Sequence, residues 1–570
     1  MRRFGWPILL AVLVSACAGP SRMADPSPAT VPAPSQATAV LAVRPGATDL
    51  PTAAARPAAP AAPAPTALVP TSAPTPPTAA PPAITIEPTT APVPANTPLP
   101  AGRLPTAPLD PQDQAKALLP EFQSDLAGAG QWNRYTISAT IDPQARTIAG
   151  RQRVEYTNRD TVALDRLYFH LYPNLPAFGG RLDVAALVVD GQPAPVVYED
   201  RRFLLRVDLP RPLAPGATSV VTFDFSTHAP ANASAELYGA FNLEKGVLAL
   251  ASSYPIAAIV RDGRWDLTRP DPRGDFVNSE TALYDVTLTA PGDWTLATTG
   301  VALSERIDSG RRVARFVSGP QRDFMISAVQ LAQISTDVDG THITSYYRPG
   351  DDVGGQLALQ TAANALRAFN ARYGRYPLAE LDVVEVAATT FLGVEYPGLI
   401  MIEGNLYHRP EGLESTVAHE VGHQWWYSLV GNDVQTEAWL DEALASYSQI
   451  VYKEFVYGPA AAERELDGFR RRYQDALAAG RDAPVSQPTA AFRGNYVTLV
   501  YGKAVLFFQA LREQIGEAAF DQFLHTYYAT HRYGFVTGAD LLASAEGACA
   551  CQLDGLYQDW ITTVAPVEMP

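Results

Sequence analysis

The chain has 570 residues, with 43 Lys and Arg against 59 Asp and Glu, giving a formal charge of −16. That balance argues against nucleic-acid binding, which requires a basic domain or stripe. Three cysteines in a chain of this length exclude a disulfide-built scaffold.

Arg2 and Arg3 precede an apolar stretch from Phe4 to Val14. It is too short to span a bilayer, which takes about 20 residues, and it suits the core of a signal peptide. It ends in Val14-Ser15-Ala16-Cys17. Small residues ahead of a cysteine resemble the bacterial lipobox. The resemblance implies cleavage before Cys17, acylation of that residue and a protein anchored by lipid on the extracytoplasmic side of a bacterial membrane; two or more acyl chains hold firmly. An ordinary signal peptide with an incidental cysteine is the alternative. No later segment offers 18 consecutive apolar residues.

Residues 18–121 contain no aromatic side chain, and 24 of the 50 prolines fall within 20–110. Such a stretch cannot bury enough apolar surface to offset its ordering entropy. It reads as a disordered, Pro/Ala/Thr-rich tether, kept extended by proline, with the fold starting near residue 115.

From Tyr135 the pattern alternates, with Tyr135, Ile137, Ala139 and Ile141 on one side. Runs at 203–208, 219–225 and 283–289 continue in this style, with turn residues between them. Short strands at this spacing predict an antiparallel β domain, a sandwich or curved sheet, over 122–331. Nothing in it suggests chemistry; His170 and His228 read as ordinary core or surface residues.

Residues 332–570 read as mainly helical. Helices are predicted over 355–373, 413–429, 437–456, 459–479, 499–515, 517–531 and 538–546, with extended segments near 382–387 and 399–403. The charged run 463–472 reads as a solvated helix face. Cys549 and Cys551 are too close for an easy bridge in regular structure, though a strained turn would allow one.

The chemistry concentrates in one helix pair. Residues 419–423 read His-Glu-Val-Gly-His. On a helix, His419 and His423 share a face and can hold one metal ion. Glu420, roughly a third of a revolution away, cannot readily join them but can reach a water beside the metal as general base. Eighteen residues beyond His423 a second helix carries Trp439-Leu440-Asp441-Glu442-Ala443. A break at Gly431, with Thr436 as cap, makes the two helices antiparallel neighbours and brings Glu442 level with the histidines. Two histidines and one glutamate, with a fourth position left open, suit catalytic zinc.

His-Glu-Val-Gly-His-Gln-Trp-Trp, the gap to Glu442 and Trp-Leu-Asp-Glu-Ala together resemble the gluzincin aminopeptidases, the aminopeptidase N and leukotriene hydrolase family. Asp441 stands for the family's Asn and Ala443 for its Gly. The segment Leu392-Gly393-Val394-Glu395-Tyr396-Pro397-Gly398 is similar to a bacterial variant of that family's Gly-x-Met-Glu-Asn motif. The resemblance implies that Glu395 holds the free α-amine of a peptide, with Gly393 among the neighbouring substrate contacts. Tyr501, in Val500-Tyr501-Gly502-Lys503, matches the family's oxyanion tyrosine, with Tyr496 the less favoured holder of that role.

The resemblance covers roughly 130–563. It implies an α+β chain: a β domain, then a thermolysin-like zinc metallopeptidase domain with one Zn²⁺ held by His419, His423 and Glu442. Catalytic Glu420 and Tyr501 would act on peptide substrates. The chain stops at Pro570, so the helical domain that encloses the cleft in fuller members is expected to be missing and the cleft more open. An endopeptidase or other hydrolase on the same metal site, or a binding protein with a silent site, are the alternatives. The presence of Glu420 and Tyr501 argues against the silent one.

Overall fold

The computed structural model describes residues 110–570, except 232, 233, 235 and 236. The expected signal peptide, Cys17 and most of the expected tether lie outside the described residues. Those residues contain no helix long and apolar enough to cross a membrane.

The fold starts a little earlier than composition suggested. Pro111–Ala115 is helical, and the Asp110 carboxylate caps it by accepting from the Gln112 N–H at 2.9 Å. Leu118 and Leu119 are buried, and the Leu119 N–H donates to Pro377 O at 2.8 Å. Residues 110–121 therefore pack with the folded part. The lack of aromatics hid a short apolar run, Ala117 to Leu119, that finds its partners some 220–260 residues further on.

The alternating segments form strands with the expected side inward. Along Asn133–Asp142, Tyr135, Ile137, Ala139 and Ile141 are all buried. This strand lies within an eight-stranded sheet, ordered Val301–Asp308, Arg311–Val317, Ala282–Pro291, Asn133–Asp142, Thr147–Thr157, Thr218–His228, Arg181–Val189, Gln192–Pro193. Neighbours run antiparallel with one exception: Asn133–Asp142 pairs parallel with Ala282–Pro291. Two four-stranded sheets and a two-stranded one, Val260–Arg261 with Arg264–Trp265, complete the region. Their inner faces and that of the large sheet share one apolar core, with Phe169, Phe223, Leu248, Val286 and Phe316 among its members. His170 is buried and stacks on Phe203 with ring centroids 4.9 Å apart, whereas His228 is exposed. Among the described residues neither belongs to a cluster that could hold a metal ion.

A five-stranded sheet joins the two regions, ordered Ala332–Val338, Thr341–Tyr347, Glu380–Val386, Leu399–Glu403, Gly393–Tyr396. Its period-two alternation serves two cores. Val383, Ile400 and Ile402 face the helices, while Val384, Leu399 and Met401 face Val247, Ala249, Ala297 and Val329 of the β region. Burial on both faces explains the unbroken apolar run from Leu399 to Ile402. Gly393–Tyr396 is the last strand and pairs only with Leu399–Glu403.

The helices largely follow the sequence pattern, at Asp352–Arg372, Pro410–Gly422, Trp439–Tyr457, Pro459–Ala478, Ala504–Ile515, Glu517–His531 and Gly538–Cys549. One differs. The helix expected over 413–429 ends at Gly422, with His423 its last residue of helical backbone. The chain then turns, placing Tyr427 at φ 121°, a costly conformation for an aromatic residue. Fully buried Arg322 of the β region holds this turn. Its Nε donates to Tyr427 O at 2.6 Å and its Nη1 to Ser279 O at 3.2 Å, and Nη2 reaches Gly534 O. A Cβ at Gly431 would lie 1.9 Å from the guanidinium carbon. Gly431 thus makes room for Arg322 rather than stopping the helix.

The expected cap is not used. The next helix starts at Trp439 with no side-chain cap, and in the turn ahead of it Asp433 accepts from the Gln435 and Thr436 N–H groups, each at 3.1 Å. Cys549 and Cys551 form a disulfide across the left-handed residue Ala550. The bridge therefore uses a turn, not regular structure.

Candidate zinc centre and active site

Pro410–Gly422 buries one face through Leu413, Val417 and Val421, and this packing orients the motif residues. His419 and His423, one turn apart, point their Nε2 atoms at each other at 3.0 Å. Glu442 comes from the first turn of Trp439–Tyr457. Its Oε2 lies 3.3 Å from His419 Nε2 and 3.2 Å from His423 Nε2.

An outer contact sets the tautomer of His423. The Trp426 carbonyl lies 3.0 Å from His423 Nδ1 and can only accept, so Nδ1 carries the proton and the Nε2 lone pair turns inward. Ser446 Oγ lies 3.4 Å from His419 Nδ1. Two imidazole nitrogens and a carboxylate oxygen thus converge on one point. That donor set fits zinc.

Two further carboxylates, Glu395 and Glu420, crowd the site. Ligand atoms of Glu395, Glu420 and His423 lie within 4.8 Å of one another, and all three residues are buried. Glu420 Oε2 is buried without a hydrogen-bond partner. Burial raises the pKa of Glu420 to about 8. Burial, and then the charge of Asp275, raise Glu395 well above the carboxylate range. Glu442 differs: burial opposes its charge, but His419 and His423 hold its pKa well below that range. On His423 burial also opposes charge, yet Glu395, Glu442 and Glu420 outweigh it and raise the imidazole well above its usual value. The pocket is electrostatically built to surround positive charge.

The structure brings every folded candidate residue into this one site. Gly393 acts by absence of bulk: a Cβ there would lie 2.2 Å from Glu420 Oε1. Glu395 lies on the same edge strand. The Tyr501 hydroxyl donates to Glu442 Oε1, and its ring centroid lies 6.0 Å from that of His419. Tyr496 stacks edge-on against Tyr501, its hydroxyl buried without a partner. Of the two tyrosines, Tyr501 therefore touches the ligand set. It lies in a π-helical turn, Leu499–Lys503, that widens the helix there.

Sequence reasoning missed Asp275, Ser446 and Gln424. Ser446 follows Glu442 by four residues, so helical spacing could have pointed to it. Asp275 comes from the β region, and no local pattern reveals it. A cavity of about 450 Å³, lined by Tyr156, Arg159, Arg261 and Phe535 among others, shares no residue with this site.

Residues 357–560 match the peptidase family M1 domain. Curated relatives agree. The chain is 23% identical over 303 residues to an alanine/arginine aminopeptidase of Saccharomyces cerevisiae, covering 48% of this chain and 35% of that protein. It is 22% identical over 299 residues to aminopeptidase M1 of Arabidopsis thaliana, covering 49% and 34%. The chain thus spans about a third of the length of these relatives. The M1 fold extends further. An M1 zinc metallopeptidase of Deinococcus radiodurans superposes with a TM-score of 0.59 at 20% identity, over 78% of this chain and 98% of that one. The M1 likeness therefore takes in the β region as well as the helical one.

Proposed function

We propose that the chain is a zinc aminopeptidase, removing N-terminal residues from peptides, and that it is anchored to a bacterial membrane through acylated Cys17. The observation that carries the enzymatic reading is the convergence of His419, His423 and Glu442 on one point, with Glu420, Glu395 and Tyr501 around it. A related Deinococcus radiodurans structure, described with a bound Tyr-Ser-Ala substrate, supports a peptide as the substrate class.

One Zn²⁺ held by the two histidines and Glu442 would supply Lewis acidity, polarising the scissile carbonyl and acidifying water. Glu420, buried and unpartnered, accepts the proton of the attacking water and returns it to the leaving amine. Tyr501 donates to the developing oxyanion. Glu395 pairs with the α-ammonium group and sets the register one residue from the N-terminus.

The test is hydrolysis of a panel of aminoacyl-p-nitroanilides by the full-length protein, beside a chelator control and N-acetylated peptides. Release that requires zinc and a free N-terminus is expected. Cleavage of blocked peptides at the same rate would replace this reading with an endopeptidase. The anchor has its own test: Cys17→Ser is expected to move the protein from the membrane fraction to the soluble one, and an unchanged distribution overturns lipidation.

A further inference from the structure

Gln424 follows His423 directly and is fully buried. Its side chain faces the edge strand that carries Glu395. Nε2 donates to Tyr396 O at 3.1 Å, and Oε1 accepts from the Gly398 N–H at 2.8 Å. The Tyr376 hydroxyl donates to the same oxygen at 3.2 Å. These partners fix the amide's orientation, since a carbonyl can only accept and an N–H only donate.

The two backbone contacts bracket the turn Tyr396-Pro397-Gly398, which returns the edge strand to its single neighbour. The β region holds the same turn from the other side. Thr299 Oγ1 donates to Pro397 O at 2.7 Å, and the hydroxyls of Tyr238 and Tyr396 lie 2.7 Å apart. Bonded to one neighbour only, the strand has half the ladder of an inner strand to keep it in place. The turn clamp compensates, and one of its jaws is the residue next to a zinc ligand.

We infer that Gln424 is a positioning residue, one that registers the Glu395 strand against the zinc-binding helix and so sets the distance between the site of the α-ammonium group and that of the scissile carbonyl. The inference rests on the proposed aminopeptidase reading and deepens it. Peptide hydrolysis depends on that distance, because a displaced ammonium anchor misplaces the carbonyl.

The experiment is a double-mutant cycle on the full-length zinc enzyme, reading kcat, KM and zinc content with leucyl-p-nitroanilide. Gln424→Leu is expected to raise KM about tenfold, the scale of a buried hydrogen bond, with one zinc retained and kcat within about threefold. In combination with Glu395→Gln it is expected to add nothing further, because it acts through that carboxylate. Additive effects, or loss of zinc in Gln424→Leu, overturn the inference and leave the aminopeptidase reading standing. An unchanged KM in Glu395→Gln alone removes the amine role of Glu395 and the inference with it. Should Gln424→Leu fail to fold, Thr299→Val loosens the opposite jaw and the same cycle decides.

Discussion

A set of ion pairs in the β region and the cluster at the candidate metal centre bury charge in opposite ways. In the β region Asp285 meets the Arg315 guanidinium through both oxygens, at 3.0 and 2.7 Å, and Glu280 meets Arg159 at 2.5 Å. Arg322, a cation with almost no exposure, directs its donors to three backbone carbonyls. In the helical region Glu395, Glu420 and Glu442 converge, and among the described residues their ion pairs run only to histidine. Buried carboxylates without a cation are costly. The first arrangement is complete as it stands, whereas the second could hold a metal ion and, on the proposed reading, a cationic substrate. Paired charge marks structure here, and converging like charge marks function.

Substitutions should break that contrast in a fixed order. Glu420→Gln removes one carboxylate from the cluster while leaving the ligands intact. It is expected to lower kcat by about 10²–10⁴, the usual span for general-base catalysis, with zinc content unchanged; zinc analysis beside single-turnover rates checks this. Tyr501→Phe follows, with an expected loss of about 10²–10³ in kcat and little change in KM, as for removal of one oxyanion donor. An effect confined to KM would place Tyr501 in substrate binding instead. Gly393→Ala pushes a methyl group into Glu420 Oε1. Overpacking of this kind costs about 1–3 kcal/mol, so a fall of about ten- to a hundredfold in kcat/KM is expected. A neutral Gly393→Ala would show that the approach of Glu420 is not needed.

A separate effect lies in the β region and concerns stability rather than activity. Burial pushes the His170 imidazole down to about 4, against the opposing pull of Asp266. Between that value and the ordinary imidazole value of about 6.5, the unfolded chain binds a proton that the folded chain refuses. Stability is therefore lost as pH falls through this window, at up to about 1.4 kcal/mol per pH unit. His170→Phe keeps the stack on Phe203 and should flatten this part of the profile. Thermal melts of both proteins between pH 7 and pH 4.5 measure it, and parallel curves would contradict the assignment.

Much of this molecule was legible before any fold was known, because the informative patterns are local. Helical spacing put His419 and His423 on one face, and the gap to Glu442 placed the third candidate ligand one connector away. Alternation from Tyr135 to Ile141 named the inner face of a strand. Each of these depends on residues within a few turns of one another, where backbone geometry alone decides what is near.

Tertiary structure decided the rest. The motif helix stops at His423 because Arg322, about 100 residues upstream, takes the carbonyl of Tyr427. Tyr501 rather than Tyr496 meets Glu442, a choice made by a π-turn and by packing. Gly393 is glycine because Glu420 comes to it from another element, and Asp275 joins the site from the β region. The pairing of Asn133–Asp142 with Ala282–Pro291 is parallel because the whole β region folds around it. In each case the partners are far apart in the chain, and their contact follows from how whole faces bury apolar surface together, which no short window of sequence contains.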